Sequence, residues 1–199
     1  MLDLHQKQAV AVVQLQRKNE KEKINQKQNW KMNKLVLKME QKERKQKRNI
    51  DYYIYLDYSE SLVGYIIIQN EKIPDLLPRI TKLHHYKDIK NKKAYIQSAK
   101  RILEKNSIEQ FLLKCRIKGL KDNLSMFIDI VDFVKKYDNC RIFASIDNNQ
   151  FIAFTKLLDM IPHKEHVIVV KESDLKSGSV EYRLSLIIDT KLNIERLSK

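Results

Sequence analysis

Glycine, proline and cysteine are all scarce in this sequence. Its 199 residues include only three glycines, three prolines and two cysteines. With so few glycines the chain has no P-loop, no GxGxxG and no GxSxG, so nucleotide-cradling loops and the hydrolase nucleophile elbow are not expected. Cys115 and Cys140 form no CxxC pair and lie in apolar surroundings, which predicts buried thiols in a reducing compartment.

Long apolar runs are absent as well. None approaches the roughly 20 residues that span a bilayer, and the AVAVV run at residues 9–13 is too short for a secretory signal. We therefore expect a cytoplasmic protein without a membrane span. The hydrophobic content of 43% is still sufficient for a folded core.

The positive charge is concentrated near one end of the chain. Residues 1–48 hold fourteen basic and five acidic side chains, so +9 of the total +14 lies there. The same stretch has no proline or glycine and is rich in Gln, Lys, Glu and Arg, which predicts one long helix. We therefore divide the chain into a basic helical arm, residues 1–49, and a second domain, residues 50–199.

The arm has two possible partners. Its lysines recur every three or four residues and would form one basic face, able to follow a phosphate backbone. Trp30 could stack on a base of a single strand or pack against the domain. The alternative is a coiled-coil or other protein-docking surface, supported by a patch of apolar residues. The basic face comprises Lys31, Lys34, Lys38, Lys42 and Lys45; the apolar patch comprises Met32, Leu35, Val36 and Met39.

From Ile50 onward the pattern is typical of an α/β protein. Two strands joined by a short polar link predict a β-hairpin, and helices and strands then alternate, which predicts a mixed sheet. Residues 182–197 fit either a strand or a helix, because their apolar cluster suits both periods. The predicted strands are 52–57, 62–69, 111–118, 140–147 and 166–172, and the predicted helices are 92–105, 151–158 and one that begins near Leu124 after a capping Asp122 or Asn123.

Three aspartates lie within or at the ends of strong apolar runs. They are Asp57 in YIYLDYSE, Asp147 in RIFASIDNN and Asp189 in LSLIIDTKL. A carboxylate near a buried strand is costly unless it is paired, hydrogen-bonded or bound to a metal. Oxygen ligands of this kind suit Mg²⁺ or Mn²⁺, and two such cations could activate water for attack on a phosphodiester.

This arrangement of acids resembles the RNase H-like superfamily. The opening YIYLDYSES is similar to a branch whose first strand ends in Asp-Glu-Ser-Gly, with Tyr58 in place of the Glu and Glu60 in place of the Gly. The resemblance covers about residues 51–195 and implies a third antiparallel strand after the hairpin. It also implies a two-metal nuclease, or a degenerate nuclease fold that only binds nucleic acid. Asp57, Asp147 and Asp189 would be the catalytic metal ligands, with Glu60 as an optional fourth.

Each acid also has a simpler explanation. Asp57 could begin the hairpin link, and Glu60 could be an exposed turn residue. Asp147 could cap the following helix. Asp189 could face solvent if its element is a helix. The His84-His85 pair has no accompanying zinc ligands and is expected to be part of a polar loop.

Two functions follow from these observations. The first is a nucleic-acid-associated protein that combines the basic arm with an RNase H-like α/β domain and possible metal-dependent nuclease activity. The second is a non-catalytic assembly subunit that docks on a protein partner through residues 1–48. In the first, DNA and RNA remain equally open as the partner.

Overall fold

The computed structural model describes residues 50–162 and 167–198. The predicted arm lies outside these residues, and with it Trp30 and the five lysines of its basic face, so its helix and its partners stay predictions. Within the part of the chain that is described, no helix is long and apolar enough to cross a membrane.

Five strands form one mixed sheet in the order β3-β2-β1-β4-β5. β1 pairs antiparallel with β2, and β2 pairs antiparallel with β3. β4 is parallel to β1 and to β5, which confirms the predicted mixed α/β sheet that opens with a hairpin. The strands are β1 (Tyr52–Ser59), β2 (Leu62–Gln69), β3 (Leu112–Gly119), β4 (Cys140–Ser145) and β5 (Ile168–Lys171).

The helices lie between and after these strands. The last element is a helix, which answers the question that its apolar cluster left open. Its first turn is capped by Ser179, whose hydroxyl oxygen accepts a hydrogen bond from the Tyr182 N–H at 3.1 Å. The helices are α1 (Ile73–Leu76), α2 (Lys92–Lys105), α3 (Asn123–Lys136), α4 (Asn148–Asp159) and α5 (Val180–Leu197).

The sheet has a hydrophobic core on each face. Ile54 and Leu56 of β1 pack with α3 and α4. Tyr55 points to the opposite face, which is covered by α5 and by the segment between β2 and β3. Because side chains alternate along a strand, Asp57 also lies on the face that α5 covers.

Gly64 lets α5 approach the sheet closely. A Cβ atom at this position would lie 2.9 Å from Ile188 Cδ1 and 3.0 Å from Leu192 Cδ2, both on α5. Gly64 is also the partner of Asp57 in the β1–β2 register. The missing side chain therefore brings α5 against the sheet at the level of Asp57.

β3 is an edge strand held to α3 by an ionic network. Lys114 Nζ and Arg116 Nη1 each lie 2.6 Å from a carboxylate oxygen of Asp129, which also accepts a hydrogen bond from the Tyr65 hydroxyl. Partial burial acts to raise the pKa of Asp129, but the hydrogen bonds from Lys114, Tyr65 and Arg116 outweigh it and lower the pKa to about 2. Lys118 extends the basic row along β3 and donates to Ser125 Oγ at 3.3 Å.

Candidate active site

Asp57 is a buried carboxylate near the carboxyl end of the central strand β1. Asp57 is only 8% exposed. The Tyr58 N–H donates a 2.7 Å hydrogen bond to Asp57 Oδ1, and Ser145, its register partner on β4, lies close enough to oppose the rise of its pKa. Asp57 therefore lies inside the sheet, within β1, and does not belong to the turn that follows Ser59.

Asp189 faces the sheet from α5 and is 7% exposed. The Tyr86 N–H donates to its Oδ2 at 2.9 Å, and Asn193 Nδ2 donates to its Oδ1 at 3.1 Å. His85 Nδ1 lies 3.7 Å from the same Oδ2. The carboxylate is therefore fixed by its own helix on one side and by the loop before α2 on the other, so it does not face solvent.

Asp57 and Asp189 act on one another, and a third acid acts on both. Burial raises the pKa of Asp57 well above its ordinary value, and the negative charges of Glu172 and Asp189 raise it further. Burial also raises the pKa of Asp189, as does Glu172, although the Tyr86 N–H and His85 oppose this. We refer to Asp57, Glu172 and Asp189 as the carboxylate cluster.

Glu172 was not identified from the sequence. It begins a short 3-10 turn, Glu172–Asp174, directly after β5. β5 is parallel to β4, which is parallel to β1, so Glu172 follows a carboxyl strand end at the same edge of the sheet as Asp57. Its position as the last residue of the predicted strand 166–172 was the signal available in the sequence.

The Tyr55 hydroxyl is a further polar group on this face. Tyr55 is 1% exposed, and its hydroxyl has no hydrogen-bond partner among the residues described. Burial raises the pKa of Tyr55, and Glu181, Tyr53 and Glu172 add to the effect. An unpaired buried hydroxyl costs about 1–3 kcal/mol, so the Tyr55 hydroxyl does not stabilise the fold.

We expect Glu172→Gln to lower the pKa of Asp57, because the substitution removes the strongest neighbouring negative charge while keeping the shape of the side chain. The measurement is an NMR pH titration of the Asp57 carboxyl carbon. Asp174→Asn is the matched control, since Asp174 is exposed and follows Glu172 by two residues. An unchanged Asp57 titration in Glu172→Gln would remove Glu172 from the cluster.

Glu60 is not part of the carboxylate cluster. It lies exposed in the β1–β2 turn with a left-handed φ of 50°, and its carboxylate pairs with Arg196 Nη1. Arg196 Nη2 donates to Asn193 Oδ1 at 3.0 Å. Glu60 is therefore connected to Asp189 only through two intervening side chains. It lies in the exposed turn, which was the alternative that the sequence left open for it.

Asp147 caps α4. Its Oδ1 accepts a hydrogen bond from the Gln150 N–H at 3.0 Å, and the residue is exposed. The structure thus gives Asp147 the capping role that the sequence left open, and among the described residues no hydrogen bond or ion pair joins it to the carboxylate cluster.

The carboxylate cluster suits a hard divalent cation in its chemistry. The residues described include no group of three or more His, Cys, Asp or Glu side chains that would enclose a metal ion. Mg²⁺ in phosphoryl-transfer sites, however, is commonly held by one or two carboxylates, with water and substrate phosphate as its other ligands. Asp57 and Asp189 are the carboxylates that would hold such an ion, and the charge of Glu172 acts on both.

Comparisons with known proteins assign no family. No family model matches the sequence, and no curated protein matches it. The function must therefore be argued from the carboxylate cluster and its surroundings.

Proposed function

We propose that the protein is a divalent-metal-dependent phosphodiesterase that acts on nucleic acid, built on an RNase H-like domain. The observation that carries this proposal is the pair of buried acids, Asp57 and Asp189, whose pKa values are raised by burial and by Glu172. Strongly perturbed carboxylates at the carboxyl edge of an α/β sheet are typical of active sites.

The cluster is costly to the folded protein unless a cation binds. Two carboxylates taken out of water repel one another and lose hydration. A divalent cation relieves both costs, and when bound it stabilises charge on a phosphoryl oxygen and activates water. The raised pKa values therefore support the proposal that a divalent cation binds between these carboxylates.

The chain's own residues would divide the work as follows. Asp57 and Asp189 bind the cation, and the Tyr86 N–H and the Asn193 amide hold the Asp189 carboxylate in one orientation. The Tyr58 N–H does the same for Asp57. Glu172 is only partly buried, so it can reach solvent. It would accept a proton from the water that attacks phosphorus, while the P–O bond to the leaving group breaks and the leaving oxygen takes a proton from solvent.

The sheet supports the RNase H-like part of the proposal. β3 supplies the third antiparallel strand that the resemblance implies, after residues 70–111, which contain α1, α2 and short 3-10 turns. The first strand carries Asp57 and the closing helix carries Asp189, two of the three positions that the resemblance assigns to metal ligands.

The test is cleavage of single-stranded, duplex and hybrid oligonucleotides with Mn²⁺, repeated with EDTA. We expect Asp189→Asn to slow cleavage at least about tenfold, because loss of a metal ligand costs more than 1.4 kcal/mol of transition-state stabilisation. Asp147→Asn is the matched control. Asn caps helices as well as Asp does, so this variant loses a charge while keeping the α4 cap.

Two results would contradict the proposal. Absence of cleavage by the wild-type protein on all three substrates would reject the enzyme. Equal loss of cleavage in Asp189→Asn and Asp147→Asn would show that Asp147 is also needed for cleavage. It would reject the proposal that Asp57 and Asp189 hold the metal ion without Asp147.

A second candidate function is a non-catalytic subunit of a protein assembly. The observation that favours it is an apolar surface on α3 and α4 beside a groove of about 490 Å³. If the protein neither cleaves nor binds nucleic acid, we expect a protein partner to bind at this surface. Leu124 lines the groove, and Ile128 on α3 and Ile152 on α4 are further exposed apolar side chains of these helices.

A further inference from the structure

The net positive charge of the described residues comes from one segment. Residues 79–105, which we call the basic insertion, hold nine basic and two acidic side chains. The remaining described residues hold fourteen basic and seventeen acidic ones, so outside this segment their net charge is negative. All nine basic side chains of the segment are exposed: Arg79, Lys82, Lys87, Lys90, Lys92, Lys93, Lys100, Arg101 and Lys105.

The basic insertion touches the carboxylate cluster directly. Its Tyr86 N–H donates to Asp189 Oδ2, and His85 lies 3.7 Å from the same oxygen. Tyr95 on α2 approaches Thr190 on α5, with 3.4 Å between their hydroxyl oxygens. The surface that carries the positive charge is therefore continuous with the proposed active site.

Two cations lie near the Tyr86 ring, in the loop that contacts Asp189. Lys92 Nζ lies 5.0 Å from the centre of the Tyr86 ring, and the Arg196 guanidinium lies 5.3 Å from it. Lys87 and Lys90 follow Tyr86 within four residues, with only Asp88 to offset them. Arg196 already pairs with Glu60, so the attraction for a polyanion at this loop comes mainly from Lys87, Lys90 and Lys92.

We propose that the basic insertion is a track for the phosphate backbone, which guides a nucleic-acid strand to the carboxylate cluster. This inference rests on the proposed function, because it names the surface that holds the substrate of that site. The track adjoins acids whose own charge repels phosphate, so the lysines supply the attraction that the cluster lacks. α2 alone is about 20 Å long, which matches about six nucleotides along one strand.

The test compares two variants that lose the same charge. The first replaces Lys87, Lys90, Lys92 and Lys93 with Gln. The second, as a control, replaces Lys121, Lys136, Lys156 and Lys176, which are equally exposed but lie outside the segment. Both keep the full chain. Binding of a labelled single-stranded oligonucleotide and of its duplex is measured by anisotropy in EDTA across a range of salt concentrations.

The logarithm of the binding constant falls as the logarithm of the salt concentration rises. We expect this fall to be less steep in the first variant, with a slope smaller in magnitude by about three, the value for four lost phosphate contacts. The control should keep the wild-type slope. Equal slopes in the two variants would overturn the proposal, since charge alone would then explain binding. Weaker binding of the first variant to anionic phosphatidylserine vesicles, with unchanged binding to the oligonucleotide, would also overturn it.

Failure of the track and failure of the enzyme give different results. Binding in EDTA does not depend on catalysis, so a reduced slope without Mn²⁺-dependent cleavage would keep the track and reject the phosphodiesterase. Cleavage with an unchanged slope would keep the phosphodiesterase and reject the track.

Discussion

Asp57→Asn is expected to make the protein more stable at neutral pH and, at the same time, to reduce Mn²⁺-dependent cleavage at least about a hundredfold. Asn can keep the hydrogen bond from the Tyr58 N–H while removing a carboxylate that burial, Glu172 and Asp189 all disfavour. Stabilising substitutions at costly functional sites commonly add about 1–2 kcal/mol, and loss of a metal-binding acid removes several kcal/mol of transition-state stabilisation.

The direction of the pH dependence follows from the raised pKa values. The folded states of Asp57 and Asp189 hold their protons to a higher pH than the unfolded chain, whose aspartates titrate near 3.9. Between the unfolded and the folded pKa values the folded state binds more protons, so the free energy of unfolding decreases as the pH rises. In Asp57→Asn this decrease should be smaller, because only Asp189 still contributes to it.

The measurement is urea unfolding of the wild type and Asp57→Asn at several pH values, with and without Mn²⁺. Mn²⁺ should stabilise the wild type, since a ligand that binds only the folded state raises its stability, and it should not stabilise the variant. A variant that is less stable than the wild type at neutral pH would show that Asp57 is a structural residue.

Gly64→Ala is expected to destabilise the protein by about 1–3 kcal/mol, the usual cost of adding volume to a well-packed core. The new methyl group would meet Ile188 and Leu192 at 2.9–3.0 Å. Both side chains are almost completely buried, so they cannot move aside without moving α5. That movement would carry Asp189 away from Asp57, and we therefore expect weaker cleavage and a higher Mn²⁺ requirement.

Gly119→Ala is the matched control for this experiment. A Cβ atom at Gly119 would approach no closer than 3.9 Å to its nearest neighbours, so its stability should change by less than about 0.5 kcal/mol. Both variants are compared by thermal unfolding and by cleavage at increasing Mn²⁺. If Gly64→Ala behaved like Gly119→Ala in both assays, the close approach of α5 would not be what sets the geometry of the site.

The local elements were predictable because their signals are local. The hairpin strands are two runs rich in β-forming residues joined by a polar turn. α2 has the predicted bounds, with Asn91 accepting a hydrogen bond from the Ala94 N–H. The strand predicted at 111–118 is β3, and the structure shows that it pairs antiparallel with β2. α5 was ambiguous because its residues from 184 to 190 are all buried, so no polar face reveals the helical period.

The site was only partly predictable because it depends on long-range packing. Asp57 and Asp189 stand out in the sequence as acids in apolar runs, but nothing in their spacing shows that Gly64 brings them together. Glu172 follows a strand of four half-buried residues, and its charge matters only once β5 lies beside β4. Asp147 shares the strand-end pattern of Asp57, yet its own helix takes up the carboxylate as a cap.

The basic row on β3 also bears on how the protein behaves when it is concentrated. An edge strand exposes unpaired backbone N–H and C=O groups, which a second molecule can extend into an intermolecular sheet. Lys114, Arg116 and Lys118 occupy alternate positions along that edge, so two copies pairing through β3 would bring rows of like charge together. The same side chains that hold α3 to the sheet therefore protect the molecule from edge-to-edge aggregation.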